Sequence, residues 1–282
     1  MSDPTTSTST APGQNLLIRP FTQAHLPGAL LLSQQVGWPH RLEDWELNLA
    51  LSQGLVALEG ARVAGTTLCT RFGDVALLNM IIVDGALRGR GLGRMLMAAA
   101  MDLAAGREMR LIATPEGQPL YEKLGFHATG QILQHQGISR GGAPALPVRE
   151  GCAQDVAELA RMDLAASGLE RSAMIARIAQ TGTILRADQG FALLRAFGRG
   201  HVLGPVVARD TATASALIDE GARRMAGRFL RIDLPKGTGL SDHVAKLGLA
   251  HAGGGTAMIR PPSGPAAGQD FTTFALASQA LG

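Results

Sequence analysis

Two stretches of this chain end alike although they lie far apart. Arg110-Leu-Ile-Ala-Thr-Pro leads to Lys123-Leu-Gly-Phe, and Leu230-Arg-Ile-Asp-Leu-Pro leads to Lys246-Leu-Gly-Leu. Upstream the order recurs with a small shift in register. His201-Val-Leu-Gly-Pro-Val-Val-Ala stands in the place of Ala76-Leu-Leu-Asn-Met-Ile-Ile-Val, and a helix over 212–225 stands in the place of one over 91–105. An internal duplication accounts for this pattern; two α/β domains that merely share an order is the other reading. In either case 282 residues suit two domains of ordinary size better than one core.

In the first half, Leu16 to Arg19 reads as a strand and Leu26 to Gln53 as helical segments interrupted at Gly37-Trp38-Pro39. A hairpin follows (Leu55 to Leu58, then Val63 to Thr70), and then the apolar run Val75 to Val83. Met95, Leu96, Ala99 and Leu103 recur at helical spacing and predict a helix from Gly91 to Ala105. A strand at Arg110 to Ala113 and a short helix ending at Leu124 complete the half, with Gly125 as a left-handed cap. Gly137 to Pro147 is crowded with Gly and Pro and reads as a linker. The expected division is a disordered tail at residues 1–13, a first domain at 14–136, the linker at 137–147 and a second domain at 148–282. Phe271 to Gly282 is apolar enough to dock as a last strand or helix, in no assigned position.

Hydrophobic residues make up 46% of the chain, yet no apolar run approaches the roughly 18 residues of a membrane helix. Met1 to Gly13 has no apolar segment flanked by basic residues and does not read as a signal peptide. Cys69 and Cys152 are isolated and fit no metal-ligand spacing. The expectation is a soluble cytoplasmic protein without a metal. The net charge is only +3 and the basic residues form no long runs, so nucleic acid is not expected as a partner.

The most informative stretch is Ile81-Ile-Val-Asp-Gly-Ala-Leu-Arg-Gly-Arg-Gly-Leu-Gly-Arg94. It passes from a buried strand through a glycine-rich turn into a helix. Glycines let a ligand approach the backbone, and a helix start supplies unpaired amides and partial positive charge suited to phosphate. Arg88, Arg90 and Arg94 add charge around the turn. The Gly-Lys-Ser/Thr ending of a nucleoside-triphosphate loop is absent, and a Gly-x-Gly-x-x-Gly fingerprint fails at Leu96 or at Arg94.

What the stretch does match is Arg-x-x-Gly-x-Gly, at Arg88, Gly91 and Gly93. There it resembles the GNAT superfamily of acetyl-coenzyme A-dependent N-acetyltransferases. Further along, Pro119-Leu-Tyr-Glu-Lys-Leu-Gly-Phe126 is similar to the element that closes the same family's cofactor site. The resemblance covers Asn15 to Gln136. Gly37-Trp-Pro-His-Arg-Leu-Glu-Asp-Trp45 and Ala113-Thr-Pro-Glu-Gly-Gln-Pro-Leu-Tyr121 further resemble a two-domain bacterial subgroup with a degenerate second domain. The implied fold is α/β (α+β): tandem GNAT-like domains, each a mixed, mainly antiparallel sheet flanked by helices.

The resemblance implies acetyl-CoA as cosubstrate. The pantetheine arm would pair with the backbone of Ile81, Ile82 and Val83, and an amide there would polarise the thioester carbonyl. The pyrophosphate would sit on Arg88, Gly89, Arg90, Gly91, Leu92, Gly93 and Arg94, with Thr114 and Gly117 completing the cofactor side. Tyr121, with an ordinary pKa of about 10, would protonate or position the departing thiolate, whose thiol titrates near 8.5; the structural alternative is a tyrosine that holds its helix to the sheet. Trp38, His40, Glu43 and Asp44 are the acceptor-side candidates, although Trp38 and Trp45, seven apart, also fit one helical face in a core. Thr114 and Gly85 depart from the family's usual Asn and Pro. The second half has no glycine cluster, and Val244 falls at the position of Tyr121. It is expected to shape the acceptor pocket instead, with Asp163, Arg171 and His201 as polar contributors. The reaction implied is transfer of acetyl to a primary amine of a small molecule by direct attack. The other readings are an idle acyl-CoA sensor or assembly module, and a protein lysine acetyltransferase.

Overall fold

A computed structural model of the chain describes residues 16–261 and 270–282. The expected tail at residues 1–13 lies outside the described residues. The chain divides into two compact units, one of the residues through Thr70 with Leu78–Gly106, the other of Arg71–Leu77 with Arg107–Gly282.

The first unit begins with β1 (Leu16–Pro20), followed by α1 (Leu26–Gln35) and α2 (Leu42–Leu51). Pro27 sits in the first turn of α1, where its missing N–H costs nothing. The chain cannot remain helical through Gly37, which has φ +77°, and Pro39. The next helix starts where the Arg41 N–H donates to the Asp44 carboxylate at 2.9 Å. β2 (Ser52–Glu59) pairs antiparallel with β1 and with β3 (Arg62–Phe72). β4 (Val75–Val83) neighbours β3 and leads to α3 (Leu92–Ala104). Leu92 and Leu96 of α3 bury against Ala57, Ala64 and Leu87. At about 25 cal/mol per Å² of apolar surface, each such leucine contributes roughly 1.5–3 kcal/mol.

The second unit starts with β5 (Glu108–Ala113), which runs parallel to the first residues of β4, from Val75 opposite Glu108 to Leu77 opposite Arg110. After it come α4 (Gln118–Lys123), β6 (His127–Ile138), β7 (Arg149–Glu150), α5 (Val156–Ser167), α6 (Ser172–Thr181), β8 (Thr183–Ala187), β9 (Gly190–Phe197) and β10 (Gly200–Ala208). The unit finishes with α7 (Thr211–Arg224), β11 (Phe229–Pro235), α8 (Ser241–Lys246), β12 (Ala250–Arg260) and β13 (Thr272–Ala275). Its strand order is β5-β12-β6-β11-β10-β9-β8-β7, with β13 on β10. β4–β5 and β10–β11 pair in parallel, whereas β5–β12, β12–β6, β6–β11, β10–β9, β9–β8 and β8–β7 pair antiparallel. The sheet is therefore mixed and mainly antiparallel, as the sequence predicts.

The two halves of the sequence exchange strands. β6, from the first half of the sequence, pairs on both edges with strands of the second half, β11 and β12. In return β12 pairs with β5. The Gly/Pro-rich segment after Gly137 is correspondingly tied down. Ile138 ends β6, the Ser139 hydroxyl donates to the Ala222 carbonyl at 2.8 Å, and the Arg140 N–H donates to the Leu247 carbonyl at 2.8 Å.

Candidate functional site

In the first unit, Met80 has φ +50° in the middle of β4, a left-handed conformation that a non-glycine residue rarely takes. The buried Thr66 hydroxyl holds this kink by donating to the Met80 carbonyl at 2.7 Å. Beyond it, Ile82 is buried while Ile81 and Val83 are partly exposed. The strand closes where the Asp84 N–H donates to the Ala64 carbonyl at 2.9 Å. The Asp84 carboxylate turns the chain by accepting from the Ala86 N–H at 2.8 Å, and it pairs with Arg62. The Ala86 amide first, and then the Arg62 guanidinium, hold Asp84 below the usual carboxylate range.

The glycine turn follows. Gly89 and Gly91 have φ +77° and +81°, and no neighbouring atom lies within 4 Å of where a Cβ would stand on either. Backbone conformation demands glycine here, and the space beside it is open. Gly91 is the N-cap of α3, yet no side chain caps the helix and its first turn carries no acidic residue. The first intrahelical bond runs from the Met95 N–H to the Gly91 carbonyl at 3.1 Å, which leaves the amides of Leu92, Gly93 and Arg94 ahead of it as donors. Leu92 turns its side chain into the core and can offer a ligand only its N–H. Arg88, Arg90 and Arg94 are exposed. An anion-binding turn is the chemistry that this arrangement allows.

The acceptor-side candidates also belong to the first unit. Trp45 is fully buried on α2, its indole N–H donating to the Ser33 hydroxyl at 3.0 Å. Trp38 precedes α2 rather than sharing a face with Trp45, so the one-helix reading of the pair does not hold. The His40 ring lies edge-on to both, 5.6 Å from Trp38 and 6.2 Å from Trp45. Asp44 is 1% exposed and bound through both oxygens to Arg41, which commits its carboxylate to the helix start. Glu43 is exposed in the first turn of α2.

Tyr121 lies in the second unit, on α4. Gly117 precedes that helix, and a Cβ there would come within 3.0 Å of the tyrosine ring and 3.2 Å of its hydroxyl. The Thr114 carbonyl accepts from the Gly117 and Gln118 N–H groups at 3.1 and 3.0 Å, and its hydroxyl accepts from Gly117 at 3.3 Å. Thr114 and Gly117 therefore build the seat of Tyr121. The ring packs edge-to-face on Phe126, centroids 6.2 Å apart. Burial pushes the phenol up to about 12, so it is fully protonated at neutral pH.

Asp163 and Arg171, expected as polar contributors to an acceptor pocket, are instead fully buried and bound to one another. Arg171 donates from Nε and Nη2 to the two Asp163 oxygens at 2.8 and 2.7 Å. Desolvation forces this pairing: a lone charge in such a place would cost several kcal/mol. His201 sits on β10 opposite Ala196.

Two family models for the GNAT acetyltransferase domain match the chain, one over residues 50–128 and one over 159–270. The chain is 30% identical over 279 residues to the N-acetyltransferase YitH of Bacillus subtilis, itself uncharacterised, covering 92% of this chain and 96% of that protein. The chain belongs to the GNAT acetyltransferase family. As a GNAT protein it also has solved structural relatives that share its fold. An acetyltransferase assignment accompanies one from Pyrococcus horikoshii, with TM-score 0.84, 18% identity, and 98% and 99% of the two chains covered. A tandem GNAT protein of the clavulanic acid biosynthesis pathway gives TM-score 0.63, 15% identity, and 89% and 100% coverage.

This GNAT chain contains two site features that its sequence does not announce. The kink at Met80 falls on a residue type with no preference for positive φ, so no local signal marks it. Asp84 was readable as an aspartate two residues before a turn amide, a common way to start a turn, but glycines dominate that stretch. Among the described residues, no helix is long and apolar enough to cross a membrane.

Proposed function

We propose that this acetyltransferase moves the acetyl group of acetyl-CoA to a primary amine of a small molecule by direct attack. The observation that carries the reading is the bare start of α3, with two left-handed glycines, no capping side chain and no acidic residue in the first turn. The pyrophosphate rests on the amides from Gly89 to Arg94 and is flanked by Arg88, Arg90 and Arg94. The pantetheine arm runs along Ile81, Ile82 and Val83. Ile81 and Val83, partly exposed on either side of the buried Ile82, offer the ligand's amides backbone groups to pair with.

The neutral amine attacks the thioester carbon, the C–S bond breaks, and the coenzyme sulfur leaves as a thiolate. Backbone N–H donors stabilise the oxyanion formed on the way. Tyr121, with its hydroxyl at about 12, is a poor outright acid toward a thiol near 8.5. That gap makes full proton transfer uphill by roughly 5 kcal/mol. Its role is to donate a hydrogen bond to the sulfur as charge develops, while the proton that balances the thiolate comes from the new ammonium. A small amine suits the half-buried aromatic surface of Trp38 and His40, which can wall the apolar part of an acceptor.

The test is thiol release from acetyl-CoA across a panel of polyamines, amino sugars, amino acids and lysine peptides. Turnover with a small amine supports the reading. Saturable acetyl-CoA binding that survives bulky replacements at both Gly91 and Gly93 contradicts the cradle, and turnover restricted to lysine peptides contradicts the acceptor class.

A further inference from the structure

The second unit contains the counterpart of the β4–α3 corner, and there the chain occupies the site itself. β10 runs parallel to β11 only over His201 and Val202. Past that point β10 has a new partner: β13, which pairs antiparallel with Val206, Val207 and Ala208. The approach is close enough that a Cβ on Gly204 would lie 1.9 Å from the Leu276 carbonyl oxygen. β13 reaches the other strand as well, because the Leu276 N–H donates to the Asp233 carbonyl on β11 at 2.9 Å. Phe274 and Ala275 are built into the apolar core of this unit, with Leu203, Val206, Leu230 and Ile232.

The segment is also anchored beyond the strand. Arg171, held by Asp163, donates to the Leu281 carbonyl at 2.8 Å and also reaches the Gly282 carbonyl. The Gln279 amide donates to the Asp233 carboxylate at 3.0 Å. At the helix that follows β10, the Asp210 carboxylate accepts from the Thr213 N–H at 2.7 Å. A fixed negative charge thus stands where α3 offers bare amides.

We propose that the cleft between β10 and β11 is a strand-binding site that the chain fills with its own residues 272–282, and that this leaves one acyl-CoA site per chain. The occupant satisfies the strand edge as a peptide added to a sheet does, and Asp210 repels any phosphate from the helix start. The count of acyl-CoA sites rests on the function proposed above, whereas the strand-binding site does not.

The test lets the full chain fold before the occupant is cut free. A protease recognition sequence built into residues 262–269 is cleaved in the native protein, and the fragment 270–282 is followed by gel filtration. The expected result is that the fragment stays with the core, and that Arg171→Ala speeds its release by ~10-fold or more, as the loss of charge-assisted hydrogen bonds predicts. Immediate loss of the fragment from the otherwise unchanged protein overturns the strand-binding site. In a second arm, equilibrium dialysis of the uncut protein with acetyl-CoA is expected to give one site per chain. Two sites would overturn the closed cleft. No binding at all would sink the proposed function, while the fragment result would still decide the strand-binding site on its own.

Discussion

The two strand-to-helix corners of this chain, Asp84 to Leu92 and Ala208 to Thr211, face the same physical problem and solve it differently. A helix start leaves amides without partners. At α7 the Asp210 side chain caps them, and the neighbouring strand edge is covered by β13. At α3 the chain places glycines in left-handed conformations and supplies no cap. The α7 corner is closed by its own sequence, while the α3 corner leaves its first amides without a side-chain cap. The difference shows that the residues at a strand-to-helix corner decide whether its backbone groups find partners within the chain: an aspartate cap and an added strand at α7, left-handed glycines and no cap at α3.

The contrast can be broken from either side. The largest expected effect is at the closed corner. Arg171→Ala leaves Asp163 buried without its partner and releases the last residues, and should cost about 3–5 kcal/mol in denaturant unfolding with acetyl-CoA affinity unchanged. A cost within error of zero would mean that β13 is not held as described. At the open corner, Gly89→Val with Gly91→Val forces β-branched residues into positive φ and fills the turn. Acetyl-CoA binding should weaken by ~100-fold, about 2.7 kcal/mol, as measured by calorimetry.

Smaller effects sharpen the assignment of Tyr121, the only tyrosine in the chain, whose ionisation can be read directly from tyrosinate absorbance. Burial raises its folded pKa to about 12, against about 10 when unfolded. The unfolded chain therefore loses its proton first, and stability should hold below pH 10 and fall between pH 10 and 12, by roughly 2–3 kcal/mol. Titration at 10 in the native protein would contradict the burial. Tyr121→Phe should lower kcat by ~10-fold or more with acetyl-CoA affinity nearly unchanged, and equal turnover would remove Tyr121 from the reaction. The smallest effect is at Asp210→Ala, which should cost about 1 kcal/mol of stability as a lost helix cap and leave acetyl-CoA binding as it was.

What the sequence showed, and what it concealed, follows from the range of the interactions involved. The turn from Arg88 to Arg94 was legible because positive φ at Gly89 and Gly91 restricts residue choice on the spot. In the first half, the helices and strands up to Leu124 were legible from local periodicity, down to the break at Gly37-Trp38-Pro39, whereas α5, α6, β8 and β9 were not placed. Trp38 and Trp45 were misleading because their spacing suits a helix, whereas Pro39 and the Arg41–Asp44 pair start α2 between them. The strand exchange of β6 and β12 was not legible. His127–Ile138 carries no clear alternation and does not read as a strand, and both its partners lie in the other half of the sequence. Asp163 and Arg171 were expected at an acceptor pocket; only their mutual distance reveals a buried pair. The last segment could not be placed from its own composition, because its position is set by the edge of β10.

The measurement that tests the anion cradle most directly is amide chemical-shift mapping of the isotope-labelled protein as acetyl-CoA is added. Large, saturable shifts are expected at Gly89, Gly91, Leu92, Gly93 and Arg94, with the amides of Thr211 to Thr213 unmoved. Shifts at the start of α7, or a silent glycine turn in the presence of bound ligand, would contradict it.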